Sequence, residues 1–141
     1  MTIGRRGAAA AGAILLLSAG AAAAQAYASG AALPVLERLE GGLWELRSLQ
    51  GRVSFDPICL GADKSTLVQL QHRRAACGRT VVAQSRDRLE VRYNCPAAFG
   101  QTTIRVEGPR LVRIDSEGVD NGIPFGFRVE ARRVGPCRAP R

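Results

Sequence analysis

Apolar and charged residues alternate with a period of two through most of the chain after residue 79, and this pattern constrains the fold more than any other sequence feature. In one such segment, Leu89 and Val91 flank the charged Glu90. Alternation of this kind is typical of strands that turn one face to a core and the other to water. The inward positions give the predicted core: Trp44, Leu46, Leu89, Val91, Tyr93, Ile104, Val106, Val112, Ile114, Phe125, Phe127 and Val129.

Short segments rich in turn-forming residues separate these strands. The predicted turns are Ser85 to Asp87, Pro96 to Gly100, Gly108-Pro109 and Asp120-Asn121-Gly122. Connections this short imply antiparallel neighbours, so the strands form a five-stranded meander. An earlier strand over residues 43–48 joins it, with Trp44 as a core anchor rather than a ligand platform. A twisted sheet of this size curls, and we expect it to approach a half-barrel.

One helix is predicted before the meander. Asp63 is a good N-cap, and Lys64 to Gln71 carries three apolar residues that suit a helix of two to three turns lying on the sheet. The predicted fold class is therefore mainly β with one short helix (α+β), a curled antiparallel meander held by two disulfides.

The chain has four cysteines, which allow three pairings. If residues 79–85 and 88–94 form a hairpin, Cys77 and Cys95 lie nearly opposite each other at its open end, within disulfide reach. Cys59 then pairs with Cys137. There is no Cys-x-x-Cys motif and His72 is the only histidine, so we expect no metal site and no redox-active cysteine pair.

The N-terminal segment has the pattern of an export signal. Arg5-Arg6 precedes an uncharged, alanine-rich stretch, and small residues suitable for cleavage follow up to Ala26 or Ala28. The predicted organisation is a cleaved signal peptide over residues 1–28, a lead-in linker over 29–40 and a single disulfide-stapled β domain over 41–141. The alternative is an uncleaved membrane anchor; after cleavage we expect no stable membrane span. Export and paired cysteines together predict a periplasmic or secreted protein of the bacterial envelope.

The formal net charge is +8, and Lys64 is the only lysine among the basic residues. A basic balance favours anionic partners. However, the arginines are dispersed along the chain among Asp and Glu, which favours a solvated surface. Specific nucleic-acid binding is not expected, because aromatic residues for base stacking are scarce.

Several short motifs, taken in order, resemble a known family. They are Gly42-Leu43-Trp44-Glu45, Ile58-Cys59-Leu60 before a helix, Cys77, a strand ending in Cys95, and the terminal Arg132-Arg133-Val134-Gly135-Pro136-Cys137. This order resembles the bacterial family called domain of unknown function 3617, whose members look like small exported β-rich proteins. The resemblance spans residues 36–137. It implies an envelope location and paired cysteines, and it implies no activity.

No residue pattern predicts catalysis. His72 lacks a recognisable nucleophile and orienting acid, since Asp63 and Ser65 on the same helix face other directions. We therefore expect no catalytic residue and no cofactor. The predicted function is a non-enzymatic binding or structural module whose concave sheet face takes a small apolar ligand or a partner protein. The alternative is a polyanion-binding or inhibitor-like protein that uses its arginine-rich surface, with an anionic envelope component as partner.

Overall fold

A computed structural model describes residues 32–51 and 53–138. The predicted signal peptide lies outside these residues. The described part contains one α-helix and seven strands: α1 (Pro34–Glu37), β1 (Gly42–Ser48), β2 (Ile58–Leu60), β3 (Gly78–Gln84), β4 (Arg88–Cys95), β5 (Ala98–Gly108), β6 (Leu111–Asp120) and β7 (Ile123–Gly135).

The seven strands form one open sheet in the order β2-β1-β7-β6-β5-β4-β3, and every neighbouring pair is antiparallel. Strands β3 to β7 are the predicted meander, and the strand of Trp44 joins it beside β7 as expected. The predicted class, mainly β and antiparallel with one short helix and two disulfides, is confirmed. Strand β2 was not predicted. It is only three residues long and pairs with β1, placing Ile58 opposite Trp44.

Two tight turns set the register of the central strands. Asn121 and Gly122 both have positive φ, 48° and 79°, which is the geometry of a two-residue type I′ hairpin turn. The turn between β4 and β5 is also tighter than predicted. It contains only Pro96 and Ala97, because Cys95 already pairs with Ala98. The prediction of a turn extending to Gly100 is therefore wrong. The shorter turn changes which residues of β4 and β5 lie opposite each other on the outer face.

The inner face of the sheet carries the core. The predicted core residues are buried except for Leu46 and Phe125, which are partly buried and pack against the others. The segment predicted as a lead-in linker also contributes, since Leu33, Leu36 and Leu39 are buried in the same cluster. Leu33, Leu36 and Leu39 therefore belong to the packed core.

The segment predicted as a helix from Lys64 to Gln71 is not α-helical. It forms two 3-10 turns, Ser65–Leu67 and Leu70–His72. In an α-helix the N–H of His72 would bond to the carbonyl of Val68, but it bonds instead to the carbonyl of Gln69 at 2.8 Å. The Val68 carbonyl accepts a hydrogen bond from Thr102 Oγ1 on the sheet at 2.6 Å. The Val68 carbonyl thus accepts its hydrogen bond from a side chain of the sheet, and not from the backbone N–H that an α-helix would supply.

A short chain of buried hydroxyl groups fixes this segment to the inner face. Thr102 Oγ1 and Ser116 Oγ lie 2.8 Å apart on adjacent strands. On the adjacent strand β4, burial raises the pKa of the Tyr93 phenol. The phenol therefore remains neutral beneath the packed segment.

Gly118 allows neighbouring strands to approach closely at one end of the inner face. A Cβ atom placed on it would lie 2.2 Å from the Phe99 carbonyl oxygen and 2.7 Å from Gly100 Cα. Both contacts are with backbone, so they cannot be relieved by a side-chain rotation. We infer that no larger residue fits at this position without distorting the sheet.

Substituting Gly118→Ala is expected to lower the free energy of unfolding by about 1–3 kcal/mol through overpacking. The matched control is Gly126→Ala on the neighbouring strand, where the nearest atom to an added Cβ is 4.0 Å away. That change should stay within about 0.5 kcal/mol. Urea unfolding followed by circular dichroism measures both, and equal effects would contradict the close approach at Gly118.

The two edges of the sheet differ. One edge is β2, which is short. The other is β3, whose pairing with β4 shifts register between Val81 and Ala83 and leaves Val82 exposed. An irregularity of this kind bends and twists an edge strand.

All four cysteines are paired as predicted. Cys77 and Cys95 have Cα atoms 4.3 Å apart, and Cys59 and Cys137 have Cα atoms 5.5 Å apart. Disulfides persist in oxidising surroundings, so these pairs point to a compartment other than the cytoplasm. Within the described residues, no helix has both the length and the apolar character needed to cross a membrane.

Candidate functional site

The inner face, where an apolar ligand was expected, is occupied by the protein itself. Leu36, Leu67 and Val68 from the segments that cover the sheet are each 0% exposed. Phe55 from the segment before β2 packs edge-on against Phe127 at 4.9 Å between ring centroids. These side chains cover the part of the inner face against which they pack.

His72 is half-buried at the end of the second 3-10 turn. Its ring lies 6.1 Å from Tyr93 and 6.2 Å from Phe125, measured between centroids. Its Nε2 atom has no hydrogen-bond partner among the described residues, and the Asp63 carboxylate is bonded instead to the N–H of Ser65 at 2.8 Å. The Ser65 hydroxyl and, to a smaller extent, the Ser65 N–H lower the pKa of Asp63. Among the described residues, the His72 ring makes no hydrogen bond to Asp63 or Ser65.

The outer face carries an arrangement that the sequence did not reveal. Arg88 on β4 lies directly opposite Arg105 on β5, and Arg105 lies directly opposite Arg113 on β6. We call these three residues the arginine row. Side chains directly opposite on adjacent strands have Cβ atoms about 4.5–5.5 Å apart, and like charges at that spacing destabilise the pair. Three like charges in register on neighbouring strands are therefore unfavourable in the unliganded protein.

Carboxylates compensate only the two ends of the arginine row. Arg113 pairs with Glu107 at 3.0 Å, and Arg88 makes a longer contact with Glu90 at 3.6 Å. Arg105 forms no ion pair with any residue in the described ranges. The central guanidinium of the row is thus exposed, flanked by like charges and free to bind an anion.

A surface cavity of about 470 Å³ opens beside the arginine row. Its lining includes all three arginines, with Arg128 and the short side chain of Thr103. Asp115 also lines it but is held by Arg128, with Nε 2.8 Å from the carboxylate oxygen. Guanidinium groups donate in a planar fork that matches carboxylate and phosphate oxygens. The arrangement is therefore suited to binding an anionic group.

Sequence reasoning missed this site because the arginines look dispersed along the chain. They converge only through the register of two hairpins. Because the turn contains only Pro96 and Ala97, the antiparallel register pairs residue 88 on β4 with residue 105 on β5. The longer turn predicted there would have shifted this register. Correct turn length was the one signal in the sequence that would have brought Arg88 and Arg105 together.

Comparisons of the chain with protein-family models, with curated proteins and with solved structures give no significant match. The chemistry of the outer face is therefore the basis for assigning a function.

Proposed function

We propose that this protein is a non-enzymatic binding module of the bacterial envelope, periplasmic or secreted, that takes an anionic partner on its outer sheet face. The observation that carries the proposal is the arginine row, in which Arg105 lies between Arg88 and Arg113 and pairs with no carboxylate of the described residues. The inner face is covered by the protein's own segments, and the outer face is the one that carries the three aligned arginines.

The envelope location is supported by the two disulfides and by the export pattern of residues 1–28. The order of motifs from Gly42 to Cys137 further supports kinship with the domain of unknown function 3617 family, which we propose on the resemblance alone. An anionic component of the envelope, such as an acidic polysaccharide or a phosphorylated lipid headgroup, is the partner class consistent with both location and charge.

Retention on a heparin column tests the proposal. The wild-type protein should bind at low salt and elute as salt rises, because screening weakens contacts between exposed charges. A triple variant of the row, R88Q/R105Q/R113Q, should elute at clearly lower salt. The control triple, R47Q/R92Q/R132Q, removes the same charge from the same face but leaves the row intact.

The two triples separate specific binding from general attraction. Wild-type protein that fails to bind heparin at low salt would end the proposal. Equal shifts in the two triples would show that overall charge, and not the arginine row, governs retention. Circular dichroism of each variant checks that the sheet is retained.

A further inference from the structure

We propose that the cavity beside the arginine row is a site for a single phosphate monoester group, held by Arg105, Arg88, Arg113 and the hydroxyl of Thr103. This inference rests on the proposed function and goes beyond it, because it replaces attraction to any anion with recognition of one chemical group. The group could be carried by a soluble sugar phosphate or by a lipid headgroup, and both present the same terminal oxygens.

Position on the sheet brings these donors together. Thr103 precedes Arg105 by two residues on β5, so both side chains leave the same face of the strand. Arg88 and Arg113 stand on the two flanking strands, directly opposite Arg105. Donors thus approach the cavity from three adjacent strands, with the partly buried Thr103 among its lining residues.

The number and direction of oxygens favour phosphate over carboxylate. A phosphate monoester presents three strong acceptor oxygens that diverge from one centre and carries a charge of about −1.5 to −2 at neutral pH. Three diverging oxygens can accept from guanidinium groups on separate strands at once. The two oxygens of a carboxylate lie in one plane and match a single guanidinium fork.

The nearby carboxylates leave the site positively charged. Glu90, Glu107 and Asp115 pair with Arg88, Arg113 and Arg128, respectively, which leaves the charge of Arg105 uncompensated. These pairs are at the surface, where ion pairs contribute little to stability. A phosphate group therefore competes readily for the end arginines while it neutralises the central one.

Isothermal titration of the intact protein with glucose 6-phosphate at low salt tests the site. We expect saturable binding with one site per chain, and R105Q should weaken it by about tenfold or more, the loss of one charge-assisted contact. R105K keeps the charge but loses the planar fork, so it should also weaken binding, by a smaller factor. T103V, which is nearly isosteric, should weaken it several-fold through loss of the hydroxyl.

The matched control is R47Q. Arg47 lies on the same face with its side chain 75% exposed and is paired with Glu130 at 3.3 Å, outside the cavity lining. R47Q should leave affinity for glucose 6-phosphate unchanged. Equal weakening by R47Q and R105Q would overturn the assignment of the cavity, and so would R105K or T103V binding as tightly as wild type.

Two further arms identify the group and its source. Affinity for glucose 6-phosphate should fall about tenfold between about pH 7.5 and about pH 5, because the second phosphate ionisation has a pKa near 6. Glucose 6-sulfate, which cannot gain a second charge, should bind more weakly and without this pH dependence; equal binding of the two esters overturns the phosphate assignment.

Vesicles containing phosphatidic acid present the same monoester on a lipid. Binding to vesicles and to the free sugar phosphate supports the site and shows that it recognises the group from either source, whereas binding to vesicles alone assigns it to lipid headgroups. Retention on heparin with no binding of either phosphate probe would overturn this inference and leave the proposed function standing. Absence of heparin binding together with no binding of either phosphate probe would remove both.

Discussion

Replacing Trp44 with alanine is expected to lower the free energy of unfolding by about 3–5 kcal/mol, the usual cost of removing a large aromatic side chain from a core. Trp44 is 0% exposed, and its Nε1–H donates to the carbonyl oxygen of Glu40 at 3.1 Å. Alanine would leave a cavity under β1 and an unpaired carbonyl beside it. Because small domains are stabilised by only about 5–15 kcal/mol, the loss is a large share of the total.

Urea unfolding followed by far-ultraviolet circular dichroism measures this effect without relying on the fluorescence of the deleted tryptophan. Trp44→Phe fills most of the space but cannot donate to Glu40, so its cost should be smaller than that of alanine. Leu49→Ala provides an exposed control, since Leu49 is 45% exposed; it should change stability by about 0.5 kcal/mol or less. If Trp44→Ala costs no more than Leu49→Ala, Trp44 does not anchor the core.

Removing the long-range disulfide with the double substitution Cys59→Ala and Cys137→Ala is the second large change. The bridge joins β2 to the chain just beyond β7 across a sequence separation of 78 residues. In the loop-entropy description, releasing a loop of this size costs about 4.5 kcal/mol. Strand β2 pairs only with β1 over three residues, so its pairing should loosen as well.

Removal of the other bridge is the internal comparison. Cys77 and Cys95 are separated by 18 residues, and Cys77→Ala with Cys95→Ala should cost about 3 kcal/mol on the same description. Both double variants avoid an unpaired thiol, and thermal and urea unfolding rank them. If removing the Cys77–Cys95 bridge lowers the free energy of unfolding more than removing the Cys59–Cys137 bridge, the loop-entropy description does not account for the stabilisation. Local packing around Cys95 would then explain the larger loss.

Strand faces were predictable because alternation depends only on neighbouring residues. Val112 and Ile114 are buried and Arg113 between them is exposed, as the period of two indicates. The disulfide pairing was also predictable, because Cys77 and Cys95 follow from one local hairpin. The remaining pair then follows by elimination.

The features that were missed depend on contacts between distant segments. Residues 64–71 have the composition of a helix, but Thr102, more than thirty residues later, binds the Val68 carbonyl and favours the 3-10 geometry. Residues 29–40 read as a linker because a single short turn shows little periodicity, yet Leu36 is fully buried under the sheet. No local pattern shows which surface a four-residue helix will cover.

The arginine row illustrates the same principle for function. The alternation alone indicates that Arg105 and Arg113 lie on an outward face, since both are flanked by apolar residues. Whether they face one another depends on turn length and on an irregularity near Val106, where pairing between β5 and β6 shifts. A change of one residue in either connection would separate the charges. Register, and not composition, creates the candidate site.

The irregular pairing at Val82 also affects how the protein behaves at high concentration. A flat, regular outer strand offers a row of unpaired backbone groups on which further chains can stack into fibrils. Here the regular repeat of β3 is interrupted between Val81 and Ala83, and the opposite edge is divided between the three residues of β2 and the part of β1 beyond Trp44 that β2 does not cover. Neither edge of the sheet is therefore a good template for adding strands from other molecules. This open sheet does not need a partner that covers its edges to avoid such aggregation.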